Sequence, residues 1–343
     1  MKSLVKTKLG FGNLEVQSKP EPFPKKDQVK IKVKYAGICG SDIHTYEGDY
    51  KVGVPVTLGH EFSGEIVEVG EGVKEFQVGD RVTSETTYYI CGKCEYCQTR
   101  DYNLCNHRKG LGTQQDGAFA KYVIARKESV HHLPENVDFL SAAMTEPLAC
   151  TYHAIEKVKI HEGDLVVVTG PGPIGLLAAQ VAKSQKATVI ITGISNDKLR
   201  LDKAKELGID YAINTQEEDV KELVKKLTKG YGADVVLECS GAVLAAKQGL
   251  DLLRKKGKYV QVGLFAQQDV QFDLEKIIQK EIHVVGSRSQ KPDDWEPALT
   301  LMSEGKVNAK SLITHVFNIT QWEEAYNVIK SGEAIKVLLT PVE

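Results

Sequence analysis

The chain has 343 residues, 42% hydrophobic and 26% charged, with a formal net charge of −2. That length exceeds one small core and suggests two domains, while the near-neutral balance gives no electrostatic case for a nucleic-acid or anionic-membrane partner. The longest apolar segment, 164–182, is interrupted by Gly170, Pro171, Gly172, Pro173 and Gly175 and is not a membrane span. The first residues carry no apolar secretory stretch, so seven cysteines favour metal binding over disulfides and a cytoplasmic location is expected.

The first ~145 residues read as mostly β by their short alternating runs and turn residues. Residues 28–35 alternate with period two, 64–70 is bounded by glycines, and 73–82 closes in Val78-Gly79-Asp80-Arg81-Val82. From residue 164 the style changes. Apolar runs at 165–169, 188–192, 234–238 and 258–262 alternate with helical patterns at 174–182, 197–207 and 218–227, the rhythm of βαβ units on a parallel sheet. After residue 290 come a predicted helix (294–303), a short strand near 315–317, a helix (321–329) and a strand (335–339). These are too few for a third domain and are expected to complete the first. Repeats and low-complexity segments are absent.

Cys91, Cys94, Cys97 and Cys105 form a C-x2-C-x2-C-x7-C run, with Gly92 and Lys93 suited to the tight turn that lets sulfurs converge. Four thiolates satisfy tetrahedral zinc and leave no open position, which predicts a structural site. A disulfide pair and an iron–sulfur cluster are the competing readings. Upstream, Cys39 lies in Gly37-Ile38-Cys39-Gly40-Ser41-Asp42-Ile43-His44 and His60 in Gly59-His60-Glu61. A catalytic zinc needs about three protein ligands and an exchangeable position. Cys39 and His60 offer sulfur and nitrogen, Glu61 can bind directly or from behind, and Glu146 adds a carboxylate. On residue type alone, a lone cysteine reads as a small buried residue and a lone histidine as structural.

Gly170-x-Gly172-x-x-Gly175 follows the 165–169 run and opens an apolar helix through Pro173 and Ile174. This is the context in which such glycines place a dinucleotide pyrophosphate at a helix N-terminus. The next apolar run, 188–192, is where NAD sites carry an acidic residue for the ribose 2′-hydroxyl. Gly193 stands there instead, followed by Ser195, Lys198 and Arg200. A 2′-phosphate is then not repelled, Ser195 can bond it and Lys198 or Arg200 can neutralise it, so NADP(H) is favoured over NAD(H).

Taken together, the 37–44 and 59–61 motifs, the four-cysteine lobe, Glu146-Pro147-Leu148, the glycine fingerprint and Glu238-Cys239-Ser240-Gly241 resemble the zinc-dependent medium-chain dehydrogenase/reductases. The similarity spans essentially the whole chain and is nearest the sorbitol (polyol) and threonine dehydrogenase branch. It implies an α/β protein: a β-rich GroES-like catalytic domain (1–152 and 290–343) with two zinc sites, and a doubly wound Rossmann domain (153–289). It further implies Cys39, His60, Glu61 and Glu146 as catalytic-zinc ligands, with Cys150 one helical turn past the ligand position. Ser41 and His44 match the proton relay. Arg288 falls near a polyol-binding arginine, across an insertion, and Phe119 is a possible pocket residue read as core. Thr45 replaces a tyrosine frequent in sorbitol dehydrogenases. The expected activity is hydride transfer between a secondary alcohol, such as a sugar alcohol, and NAD(P). L-Threonine 3-dehydrogenase activity is the runner-up, and a non-catalytic nucleotide-binding redox sensor is the rival of another class. The resemblance also suggests a homodimer or homotetramer.

Overall fold

The computed structural model describes residues 1–266 and 269–342. The chain divides into two compact units: 1–149 with 290–303 and 309–343, and 150–289 with 304–308. The division thus falls at Ala149/Cys150, three residues before the boundary expected from the sequence, and 304–308 belongs with the second unit. Among the described residues no helix is long and apolar enough to cross a membrane.

The first unit is built on a seven-stranded sheet with its longest strand, Gln28–Gly37, at the middle. Glu61–Val69 and Tyr122–Arg126 pair with that strand antiparallel, and Lys336–Thr340 joins it from the far end of the chain. The alternation read at 28–35 is real: Val29, Ile31 and Val33 are buried in one cluster with Phe62, Ile66, Val82 and Val123. The register sets Gly37 opposite both Glu61 and Leu338. A side chain at Gly37 would overlap the Glu61 carboxylate and stand 2.9 Å from the Lys336 Cε, so this strand end must be glycine for the strands to close.

In the second unit six parallel strands lie in the spatial order Tyr211–Asn214, Thr188–Gly193, Leu165–Thr169, Ala233–Glu238, Leu253–Gln261, His283–Gly286. By chain order this is 3-2-1-4-5-6, the doubly wound arrangement with its switch point between Leu165–Thr169 and Ala233–Glu238. The central strands are sealed on both faces, with Val166, Val167 and Val168 fully buried, which is why they read as unbroken apolar runs. Helix Pro173–Ser184 packs against them through Leu176, Leu177, Ala179 and Val181, each buried. Full burial of such a leucine or valine contributes about 1.5–3 kcal/mol. The strands Tyr211–Asn214 and His283–Gly286 carry no comparable run, being short and only partly covered.

Candidate active site

Cys39 lies two residues past strand Gln28–Gly37 and is the N-cap of helix Gly40–Glu47, where Asp42 accepts the Cys39 backbone N–H at 2.9 Å. Glu61 opens the neighbouring strand Glu61–Val69, and His60 immediately precedes it. Because the two strands are paired at Gly37 and Glu61, these three residues converge. One ligand atom each from Cys39, His60 and Glu61 lies within 4.8 Å of the others. Sulfur, nitrogen and oxygen donors brought together in a buried place fit a divalent transition ion such as zinc. His60 Nδ1 is buried with no hydrogen-bond partner, the sort of orphan that a ligand or a reoriented neighbour satisfies.

The surrounding charges are arranged in layers. Asp42 Oδ1 lies 3.9 Å from His60 Nδ1. Burial works against the His60 imidazolium, but Asp42, Cys39 and Glu146 outweigh it and raise the ring's pKa well above the ordinary value. Burial likewise raises the Asp42 carboxyl, against the pull of His60. Behind Glu61 sits Lys336, whose ammonium pairs with Glu61 Oε2 and donates to the Ile38 carbonyl at 2.9 Å. Their side chains are only 3% and 2% exposed. Burial lowers the Lys336 pKa, yet Glu61, Cys39 and Glu146 reverse this and the net shift is upward. Glu146, in the first turn of helix Thr145–Glu156, adds a negative charge that acts on His60 and Lys336.

Ser41 and His44 share one face of the Gly40–Glu47 helix, three residues apart. His44 is exposed, with Nδ1 3.8 Å from Glu47 Oε2, and Glu47 is also held by Lys330 at 2.8 Å and Tyr326 at 3.0 Å. Thr45 points the other way, buried and donating to the Ser41 carbonyl at 2.8 Å. Phe119 is fully buried, and a side chain at Gly59 would run into its ring, so it is a core residue. Arg288 belongs to the second unit and is exposed after strand His283–Gly286.

In the lobe, Cys91–Cys97, Cys94–Cys97 and Cys91–Cys105 sulfurs stand 3.9, 3.5 and 3.7 Å apart. Thiolates about 2.3 Å from a tetrahedral zinc are spaced in just this range, far beyond an S–S bond, and all seven cysteines are free. Backbone N–H groups of Lys93 and Cys94 lower the Cys91 thiol to about 6, while burial pushes Cys97 up to about 12.

At the glycine turn, Gly170 has φ +90° and faces Ser240, and a side chain at Gly175 would sit on the Gly170 carbonyl. Gly172 caps the helix, and Pro173 and Ile174 form its first turn. Gly193 ends its strand against Pro171: a Cβ would lie 2.9 Å from Pro171 Cγ and 3.1 Å from Asp197 Cβ. A side chain at this position would have to push back Pro171 or Asp197. Ser195 is held by Gln216 through its N–H (2.9 Å) and by Asn214 through its hydroxyl (3.0 Å). Lys198 is paired with Asp202 at 2.5 Å and Arg200 with Asp197 at 3.0 Å, so both cations already have carboxylate partners.

Sequence reasoning missed two members of this site. Asp42 carried a signal, standing three residues after an N-cap. Lys336 carried none, since only strand pairing brings it beside a residue 275 positions away.

Residues 25–135 match the alcohol dehydrogenase GroES-like domain and residues 173–304 the zinc-binding dehydrogenase domain. A sorbitol dehydrogenase of Halalkalibacterium halodurans is 76% identical over the full length of both chains. A D-arabitol-phosphate dehydrogenase of Enterococcus avium is 49% identical, covering 99% of this chain and 97% of its own. Among solved structures, a provisionally described zinc-binding dehydrogenase of Sinorhizobium meliloti 1021 bound to NADP superimposes with a TM-score of 0.92 at 31% identity, covering 99% of each chain. The chain belongs to the zinc-dependent medium-chain alcohol dehydrogenases and, within them, to the polyol dehydrogenase branch.

Proposed function

We propose that the chain oxidises a secondary hydroxyl of an open-chain polyol of the sorbitol type to the ketone, with NADP as the favoured acceptor and two zinc ions per chain. The observation that carries this reading is the buried convergence of Cys39, His60 and Glu61 in a chain so similar to a sorbitol dehydrogenase. When bound, zinc lowers the pKa of an alcohol hydroxyl and the nicotinamide takes the hydride from the carbinol carbon. Cys39, His60 and Glu61 supply the donors, with Glu146 as the fourth candidate, and Lys336 holds the far oxygen of Glu61. Ser41 would take the substrate's hydroxyl proton as it gives up its own, and the exposed His44 would carry the released proton to solvent. Cys91, Cys94, Cys97 and Cys105 hold the second ion and keep the lobe in shape.

For the cofactor, Gly170, Gly172, Pro173, Ile174 and Gly175 provide the pyrophosphate turn, and Ser195 the contact to a 2′-phosphate. Lys198 or Arg200 neutralises that phosphate by exchanging Asp202 or Asp197 for it. A homo-oligomer is supported by the edge strand His283–Gly286, unpaired on one side among the described residues, with Val284 and the nearby Ile278 exposed.

The test is kcat/KM for sorbitol, other hexitols and pentitols, a pentitol phosphate, simple secondary alcohols and threonine, with both cofactors. A polyol and NADP should lead. A clear preference for NAD overturns the cofactor assignment, and threonine in the lead overturns the substrate. Absence of turnover on any alcohol supports the non-catalytic sensor instead.

A further inference from the structure

The second unit buries a carboxylate at its switch point that the reaction does not use. Glu238 ends strand Ala233–Glu238 and is fully inaccessible. Its Oε1 accepts the Thr169 hydroxyl at 3.2 Å, the Ser240 N–H at 2.9 Å and the Ser240 hydroxyl. Its Oε2 accepts the Gln261 amide at 2.6 Å and the Gly241 N–H at 3.0 Å. These donors come from the carboxyl ends of three adjacent strands. All are neutral, so the charge is stabilised by oriented dipoles rather than by a cation.

What the carboxylate gathers is not the apolar core. It is the ring of turns outside the strand ends, where open α/β sheets bind their ligands. The Cys239 N–H reaches the Thr169 carbonyl, and the Val262 and Gly263 N–H groups both reach the Glu238 carbonyl, each at 2.9 Å. Ser240 is pressed against Gly170, where a Cβ would lie 2.6 Å from the Ser240 Cβ. Gly263 is pressed against Gly241 and stands under the Glu238 carboxylate, 2.8 Å from Oε2 for a Cβ. The first glycine of the fingerprint thus rests on a turn whose shape Glu238 dictates.

We infer that Glu238 is a positioning residue for the dinucleotide: by stapling the 239–241 turn to Thr169 and Gln261 it fixes the surface against which the glycine turn presents the cofactor. The inference rests on reading Gly170 to Gly175 as the dinucleotide site. A backbone surface set before binding does not need to be ordered during it, which is how such a residue acts on affinity.

The test is Glu238→Gln in the zinc-loaded enzyme. The amide keeps the shape but turns an NH2 group towards donors. Dissociation constants for NADPH and NADH are read by fluorescence well below the variant's melting temperature, with cofactor KM and kcat in parallel. Both dissociation constants and the cofactor KM should rise tenfold or more, with kcat at saturating cofactor within about threefold of the parent. A lowered melting temperature with cofactor affinity within twofold means a purely structural residue and overturns the inference. Should Glu238→Gln fail to fold, Thr169→Val removes one donor, and a two- to fivefold rise is expected, with unchanged affinity overturning it. A parent that binds neither reduced cofactor sinks the dinucleotide reading itself.

Discussion

Lys336→Met isolates the buried ion pair behind the candidate metal site. Methionine keeps the apolar stem and deletes the ammonium, leaving the Glu61 carboxylate, 2% exposed, without its partner. Breaking a buried pair from one side costs about 3–5 kcal/mol, because the remaining charge is uncompensated. For a unit of about 200 residues, each kcal/mol moves the melting temperature by roughly 2–4 °C. Metal-stripped Lys336→Met should therefore melt about 6–20 °C below the stripped parent by differential scanning calorimetry. Zinc loading should shrink the gap, since a cation beside Glu61 replaces the one removed. Adding Glu61→Gln to Lys336→Met should recover part of the loss, a coupling that a double-mutant cycle measures. The pH sign follows from the raised Lys336 pKa: the contribution is complete below the unfolded value of about 10.4 and fades only as pH rises through the higher folded one. The parent's own Lys336 contribution should thus stay flat from about pH 6 to 9. A stripped variant melting within about 2 °C of the stripped parent would refute the reasoning.

Gly193→Asp should raise the NAD-to-NADP ratio of kcat/KM at least tenfold, consistent with about 1.5–3 kcal/mol for a charged hydrogen bond. Its Cβ meets Pro171 at 2.9 Å, so it should also cost about 1–3 kcal/mol of stability in thermal melts. Elemental analysis should find two zinc ions per chain in the parent and one in Cys39→Ser, which should keep cofactor binding and lose turnover. Iron, or no metal in the parent, contradicts this. Asp42→Asn removes the charge 3.9 Å from His60 and should weaken zinc retention against a chelator about 10–100-fold, the usual scale for a carboxylate behind a histidine ligand. Retention equal to the parent's assigns Asp42 to helix capping alone.

Much of the scaffold was legible because its signals are local. The 165–169 run is the strand Leu165–Thr169 to the residue, and the helices and strands read after residue 290 lie within two residues of their observed ends, the short strand near 315–317 extending further to Ile313–Asn318. Elements with weak or short patterns escaped: helix Gly40–Glu47, with polar and small residues through most of its length, and edge strand His283–Gly286, whose residues remain largely exposed. The cysteine lobe declared itself by spacing. Lys198 and Arg200 carried a signal that was passed over, since Asp202 stands four residues after Lys198 and Asp197 three before Arg200, the ion-pair spacings of the helical pattern at 197–207.

The sequence by itself determined the element types, the two-part organisation and the chemical identity of most donors, because periodicity, glycine turns and ligand spacing are properties of neighbouring residues. Only the tertiary structure decided which charges face one another. Pairing of the 28–37, 61–69 and 336–340 strands sets Lys336 behind Glu61, and the 3-2-1-4-5-6 strand order sets Glu238 beneath Gly170's turn. Both arrangements join residues far apart in the chain, and a buried charge is tolerated only where strand register delivers its partners.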